Sequence, residues 1–416
     1  MTTTGSSSSL PEKNGSGVIQ KGPGSGGSRV DKNRPARLRR FRSVVLWVCL
    51  AALSTVNFDA VAQQSEAGYL SVTGPCHLGF PEDHGAHPGF RTEWWYYTGN
   101  LQTAGQRSFG YQLTIFRRRI RPPAAQQGWP ESPSHWRTQQ IFLGHAAVTD
   151  IAGARHVFSE SIARGAVGLA GVRQSDGRTT VFVNKWLIDI GPDSHRLVAA
   201  TEDFSLDLQL HPAKPIVLHG DRGYSRKGDG AQRASCYYSF SRLQTAGHIR
   251  LKDKRFELTG SSWMDHEFST ASLQPGISGW DWFSLQLDNG MDVMIYLLRQ
   301  PDGVYHPASS GTLIDTGGRS IHLTASDFKV SVLDTWKSPH SRARYPSAWT
   351  VRIGRHAIDI TVNSRLADQE MLTGPAAEVT YWEGSVFASG TAEGLPVEGK
   401  GYAELTGYAG GMEALK

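Results

Sequence analysis

Apolar and polar positions alternate with a period of two along much of the chain. Phe204, Leu206, Leu208 and Leu210 are apolar, with Ser205, Asp207 and Gln209 between them. That is the pattern of an antiparallel strand with one buried and one wet face. Residues 180–190 are rich in β-branched and aromatic side chains, which favour a strand. Phe283, Leu285 and Leu287 alternate up to Asp288-Asn289-Gly290, and an apolar run returns over 291–298. Asn-Gly between two such runs predicts a hairpin. Trp349, Val351 and Ile353 repeat the pattern, as do Ile358, Ile360 and Val362 after Gly354-Arg355. The segments 379–383 and 401–405 are the last predicted strands. No amphipathic stretch extends to three helical turns. Short strands with Gly-containing turns predict an all-β protein built as a sandwich or barrels.

The chain of 416 residues is too long for one ordinary β-barrel. A faint internal echo suggests two. Glu93-Trp94-Trp95-Tyr96 leads through a turn to an apolar strand ending at Arg117, and Gly279-Trp280-Asp281-Trp282-Phe283 leads through Asn289-Gly290 to one ending at Arg299. The expected domains are 70–260 and 261–416.

Charge separates the N-terminal segment from the rest. Of 43 Lys+Arg and 38 Asp+Glu, residues 1–62 hold nine basic and three acidic ones. The remainder is near neutral, so the basic excess does not indicate a nucleic-acid partner. Residues 1–33 are Gly/Ser/Lys-rich and read as a disordered extension. Residues 34–62 hold a basic run, an apolar stretch and Ala60-Val61-Ala62. These are the parts of a signal peptide, with cleavage expected near Ala62 and a periplasmic or secreted location. The apolar stretch is shorter than the roughly 20 residues a spanning helix needs. Past this leader only Cys76 and Cys236 remain, and they either pair or stay as separate thiols.

Four clusters carry candidate chemistry. The stretch 80–97 packs His84, His87, Arg91 and Glu93 beside Trp94, Trp95, Tyr96 and Tyr97. Arg91 and Glu93 share a face if both lie on a strand, and could pair. In Trp263-Met264-Asp265-His266-Glu267-Phe268, a strand would send Asp265 and His266 to opposite faces. Flanking aromatics would desolvate Asp265 and raise its pKa toward that of a proton donor. Trp280, Trp282 and Tyr296 form the third cluster, and Cys236-Tyr237-Tyr238 the fourth. Either could line an apolar pocket or belong to the core. The run Arg117-Arg118-Arg119 reads as a solvated strand end. There is no GxSxG elbow, P-loop, dinucleotide fingerprint or HExxH spacing. No metal or cofactor is expected.

The first two clusters also carry a family resemblance. Residues 80–101, together with 262–268, 279–283 and Tyr381-Trp382-Glu383-Gly384-Ser385, resemble the AttH / carotenoid 1,2-hydratase (hydroxyneurosporene synthase, CrtC-like) family. The resemblance spans roughly 78–410. It implies two tandem lipocalin-like antiparallel β-barrels, and for many members secretion and association with an ABC transporter. It does not choose a function, because the family diverges on one fold. The leading expectation is a secreted AttH-type protein that binds a hydrophobic lipid, isoprenoid or carotenoid. It would present this ligand to a transporter permease, with peripheral contact to the membrane. His84, His87, Arg91, Glu93, Trp94, Trp95, Tyr237, Trp263, Trp280, Trp282 and Tyr296 are the expected ligand residues. The alternative is a cofactor-free hydratase with Asp265 as proton donor and His266 or Tyr296 positioning water. A secreted hydrolase is the third reading.

Overall fold

The computed structural model describes residues 62–64, 68–126, 130, 134–374 and 379–410. The extension expected at 1–33 and the signal peptide expected at 34–62 lie outside these, except for Ala62. The protein is all-β, and the helical segments among the described residues are short 3-10 turns.

Two large antiparallel sheets carry the fold. The first runs in spatial order through Arg155–Arg164, Gln140–Asp150, Ser108–Arg119, Thr92–Gln102, Lys254–Ser269, Ala234–Leu251, Phe204–Pro212, His195–Ala200, Trp186–Ile190, Arg178–Val183 and Ala170–Ser175. Its edges approach each other: Asn184 Nδ2, in the turn after Arg178–Val183, donates to Ser161 Oγ at 2.8 Å. The result is a nearly closed barrel. The second sheet runs Ser320–Thr324, Ser310–Ile314, Asp292–Arg299, Gly279–Leu287, Leu395–Leu405, Tyr381–Ala392, Ile358–Ser364, Arg344–Ile353 and Lys329–Lys337, and forms a half-barrel. Tandem lipocalin-like barrels are therefore the architecture.

Side-chain parity fills each interior. Phe204, Leu206, Leu208 and Leu210 enter the first core, and Trp349, Val351, Ile353, Ile358, Ile360 and Val362 enter the second, as their alternation predicts. The hairpin at 288–290 forms as expected, with Gly290 at φ +87°, a conformation a side chain would strain. The region 180–190 is two strands, because Asn184 turns the chain with φ 53°. The last two strands pair throughout as the hairpin Tyr381–Ala392 and Leu395–Leu405.

The strand Lys254–Ser269 crosses the expected boundary at 260/261 and pairs with the first sheet over its whole length. The passage between sheets therefore lies at 270–278, because a strand laddered on both edges cannot be divided between two barrels.

A bulge in Ala234–Leu251 has a clear consequence. The register shifts between Phe240 and Leu243, and the inward parity changes from Tyr238 and Phe240 to Leu243 and Ile249. The released residues reach the second barrel: Ser241 Oγ donates to Asp292 Oδ2 at 2.9 Å and Arg242 pairs with Asp292 Oδ1 at 2.6 Å. Lys214 adds a third contact to the same buried carboxylate, at 2.8 Å.

Cys76 and Cys236 form a disulfide across 160 residues, tying the segment before the first long strand to the centre of the sheet. Replacing both by Ser is expected to remove about 2–5 kcal/mol of stability, read as a lower urea midpoint with a steeper slope, because the freed unfolded chain exposes more surface. A midpoint matching that of the wild type would show that the bond is not a stabilising link.

Candidate functional site

The strand Thr92–Gln102 divides its aromatics between two environments. Trp95 and Tyr97 enter the core of the first barrel, while Trp94 and Tyr96 face the second barrel. The neighbouring strand Lys254–Ser269 divides in the same way. Asp265 and Glu267 face outward with Trp94 and Tyr96, and His266 faces inward beside Trp95. As strand geometry requires, Asp265 and His266 form no couple.

The outward face forms one wall of a cavity between the barrels, about 220 Å³ in volume. Trp94, Tyr96, Tyr237, Asp265 and Glu267 line it from the first barrel, and Trp280, Trp282, Tyr296, Leu298 and Glu404 from the second. Half-exposed Arg91, Phe116, Arg118 and the crossing segment 270–273 complete the lining.

Asp265 is among the buried residues of the lining. Tyr237 OH donates to its Oδ2 at 2.9 Å, Trp263 Nε1 donates to Oδ1 at 2.6 Å, and Ser239 Oγ also donates to Oδ1. Burial pushes the carboxyl up to about 7, with the charge of Glu267 adding to it, against the three hydrogen bonds that favour ionisation. Glu404 lies in the same cavity and accepts from Trp280 Nε1 at 2.7 Å. Burial, followed by the charges of Asp265 and Glu267, raises it to about 7 as well. Behind it Glu383 accepts from Tyr96 OH at 2.8 Å, and burial followed by Glu404 holds it well above the usual carboxylate range. Glu267 pairs with Lys227 at 3.0 Å. The Lys227 ammonium lies 4.0 Å from the Tyr296 ring centroid. With both carboxyls raised to about 7, Asp265 and Glu404 can supply one acid and one base near neutral pH.

The inward face is a different assembly. Glu93, fully buried, pairs with Arg117 at 2.7 Å, His87 Nδ1 at 2.7 Å and His266 Nε2 at 2.9 Å. His87 Nε2 reaches Asp83 at 2.9 Å. Tyr238 OH lies 2.9 Å from His266 Nδ1 and 2.7 Å from His84 Nδ1. One proton assignment satisfies the chain: His84 donates to Tyr238, Tyr238 to His266, and His266 to Glu93. His87, Glu93 and His266 bring ligating atoms within 4.8 Å of one another. His87 Nδ1 and His266 Nε2 both meet Glu93 Oε1, and Arg117 Nε holds its other oxygen, so the group is joined by hydrogen bonds around one carboxylate.

The structure therefore sorts the expected site residues. Asp265, Arg91, Trp94, Tyr237, Trp280, Trp282 and Tyr296 line the cavity, and Trp263 bonds to Asp265 from behind. His84, His87, Glu93, Trp95 and His266 do not line it, because each lies on the opposite face of the sheet or in the loop packed there. Glu93 pairs with Arg117 and not with Arg91, which precedes the strand and escapes its alternation. Nor is the arginine run a solvated end. Arg117 is 0% exposed and Arg119 5%, with Arg119 bonded to Pro88 O at 2.9 Å, and Arg118 lines the cavity. Glu404, Glu383 and Lys227 are outside the expected site residues, and Tyr96, part of the first cluster, is not among the expected ligand residues. A lone acid alternating with aromatics, as in Tyr381-Trp382-Glu383 and Tyr402-Ala403-Glu404, was the available signal.

The echo between the halves has a structural counterpart. Asp281 and Arg299 pair inside the second barrel much as Glu93 and Arg117 do in the first.

Fold and site together define a two-barrel lipocalin-like protein with an aromatic, carboxyl-bearing cavity between its barrels. The profile of AttH-like proteins matches residues 71–408, and the chain belongs to that family. A Nitrosomonas europaea protein named as an AttH is 35% identical, covering 80% of this chain and 99% of its own, with a TM-score of 0.70. Kievitone hydratase from Nectria haematococca shares the fold at 15% identity, covering 84% of this chain and 98% of its own, with a TM-score of 0.62. CghA, in a structure with Sch210972, shares it at 12% identity, covering 84% and 99%, with a TM-score of 0.51. No curated protein matches.

Proposed function

We propose that the cavity between the barrels binds an apolar, unsaturated molecule of isoprenoid type and adds water to its double bond. The observation that carries this reading is the pair Asp265 and Glu404, both raised to about 7 in a pocket walled by tryptophan and tyrosine. The protonated member gives its proton to one alkene carbon, and the π electrons form the new C–H bond. The adjacent carbon becomes a cation facing the rings of Trp280, Trp282 and Tyr296. Water attacks it, and the ionised member takes the proton that water loses. Return of that proton to the donor completes a net addition of water. The name of the Nectria protein supports testing this reaction class first.

Capture of a hydrophobic ligand is common to this reading and to that of a carrier. The carrier reading adds export through the N-terminal leader and hand-over to an ABC transporter permease at the membrane. Its support is the Cys76–Cys236 bond, which suits an oxidising compartment. A serine hydrolase is less well supported. Ser239 Oγ lies 2.6 Å from His219 Nε2, but His219 Nδ1 faces Thr312 Oγ1 at 2.8 Å where a triad places a carboxylate. Ser239 also points to Asp265 and does not line the cavity.

The test is incubation of the purified protein with isoprenoid alkenes in ¹⁸O-water. Hydration gives a product heavier by one labelled water. Tight binding with no labelled product across the panel would leave the carrier reading.

A further inference from the structure

The two oxygens of Asp265 have different partners. Oδ2 is met by the Tyr237 hydroxyl at 2.9 Å, and that hydroxyl also accepts from Trp282 Nε1 at 3.1 Å. Tyr237, Trp282 and Asp265 all line the cavity. Oδ1 is met by Trp263 Nε1, which can only donate, at 2.6 Å, and by Ser239 Oγ. Trp263 and Ser239 do not line the cavity.

A line of hydrogen bonds continues from Ser239. Its Oγ lies 2.6 Å from His219 Nε2, and His219 Nδ1 lies 2.8 Å from Thr312 Oγ1 in the second barrel. Burial, followed by the charges of Lys227 and His322, keeps the His219 ring neutral. With Asp265 ionised, Ser239 spends its proton on the carboxylate, so it accepts from His219 Nε2–H, and Nδ1 accepts from the Thr312 hydroxyl.

This line decides which oxygen of Asp265 carries the acid proton. A proton on Oδ1 that donated to Ser239 would force Ser239, His219 and Thr312 all to reverse. A proton on Oδ2 requires one hydroxyl to turn. Oδ2–H then donates to the Tyr237 oxygen, Trp282 Nε1–H keeps its bond, and the proton of the phenol is released from the carboxylate.

We propose that the proton of Asp265 reaches the alkene through the hydroxyl of Tyr237. In one step the alkene π electrons take the Tyr237 proton while the phenol oxygen takes the proton of Asp265 Oδ2. One C–H and one O–H bond form, and two O–H bonds break. Tyr237 is a phenol before and after. The step leaves the carbocation and the Asp265 carboxylate, with Tyr237 donating to Oδ2. Burial, followed by the charges of Asp265 and Glu267, opposes a free phenolate, which suits a transfer that never forms one. Asp265 is recharged by the reverse path, Tyr237 taking a proton from the cavity as it gives its own to Oδ2. The inference rests on the hydration reading and names the group that hands over the proton.

The experiment compares full-chain wild type and Y237F on geraniol, farnesol and squalene in ¹⁸O-water. Phenylalanine keeps the ring and removes the relaying oxygen. Turnover is expected to fall by about 10²–10⁴ at every pH, with KM changed by less than about twofold. Were Tyr237 only an anchor for Asp265, its loss would remove a hydrogen bond that favours ionisation. The alkaline limb of the rate profile would then move up with its maximum kept. That result would overturn the relay and leave Asp265 as the direct donor. A second measurement needs no variant. In single turnovers of the wild type in H₂O–D₂O mixtures, the rate should bow below a straight line against deuterium fraction, because two protons move together. A straight line, the mark of one moving proton, would overturn the relay. Failure of the wild type to hydrate any of the three would overturn the hydration reading and this inference with it.

Discussion

Asp265→Asn is expected to abolish hydration while leaving ligand binding largely intact. Loss of a positioned proton donor lowers turnover by about 10²–10⁴. In the wild type the rate should peak near neutrality. Above the value of about 7 to which Asp265 is raised, the protonated donor is progressively lost. At lower pH the ionised base is lost in turn, because Glu404 titrates in the same range. The bell belongs to the pair rather than to either residue.

The same substitution should make the protein more stable at alkaline pH. A carboxyl raised from about 3.9 in the unfolded chain to about 7 in the fold keeps its proton, so folding stability falls as pH rises between those values. Asparagine carries no such cost. Its advantage over the wild type should grow from pH 4 to 7 and then level off, reaching on the order of a few kcal/mol. A constant offset lies beneath this, because the amide replaces an acceptor for Tyr237 OH with a donor. Urea unfolding at pH 5 and pH 8 measures it. An equal loss at both values, with binding lost too, would make Asp265 a structural anchor and end its role as donor.

The fold was legible where one strand face was uniformly apolar. The alternations at 204–210 and 349–362 gave both the strands and their inward sides, because a face buried in a core tolerates no exceptions. Strands buried on both faces were harder to read. Trp94 through Tyr97 show no alternation in residue type, yet Trp95 and Tyr97 fill a barrel while Trp94 and Tyr96 meet a second barrel. The sequence could not separate them without that second sheet. The hydratase reading gave roles to both Asp265 and His266, although strand alternation already sends them to opposite faces, as the structure places them. Glu404 was hidden for another reason: its partners in the cavity, Asp265 and Glu267, lie more than a hundred residues away. Arg117 looked like a surface charge because its counter-ion, Glu93, is on the neighbouring strand.

Glu93→Gln is expected to give the largest loss of stability. The carboxylate is fully buried and accepts from Arg117 Nε, from the backbone N–H of His87 and from the rings of His87 and His266. Arg117 carries the connection onward, donating to His87 O at 2.9 Å and Phe90 O at 3.0 Å. This ion pair helps to fasten the loop that packs His87 flat on Phe268, 3.6 Å between ring centroids. Glutamine leaves the Arg117 charge buried without a counter-ion, which costs about 3–5 kcal/mol, a large part of the 5–15 kcal/mol that holds a typical domain.

The pH dependence identifies the cause. Burial favours neutral Glu93, but the hydrogen bonds from His266 and His87 and the charge of Arg117 outweigh it and hold its pKa low. Its contribution is therefore present above about pH 4.3 and lost as the medium becomes more acid. His87 is the opposite case. Burial lowers it, yet Asp83 and Glu93 raise it overall. Its contribution is complete below about pH 6.5 and lost as pH rises through the folded value. The gap between wild type and Glu93→Gln should thus be widest between these limits and narrow on either side. The double variant E93Q/R117M should recover part of the loss, because no charge is then left without a partner. A wild-type urea midpoint for Glu93→Gln at pH 5.5 would show that the first barrel does not depend on this network.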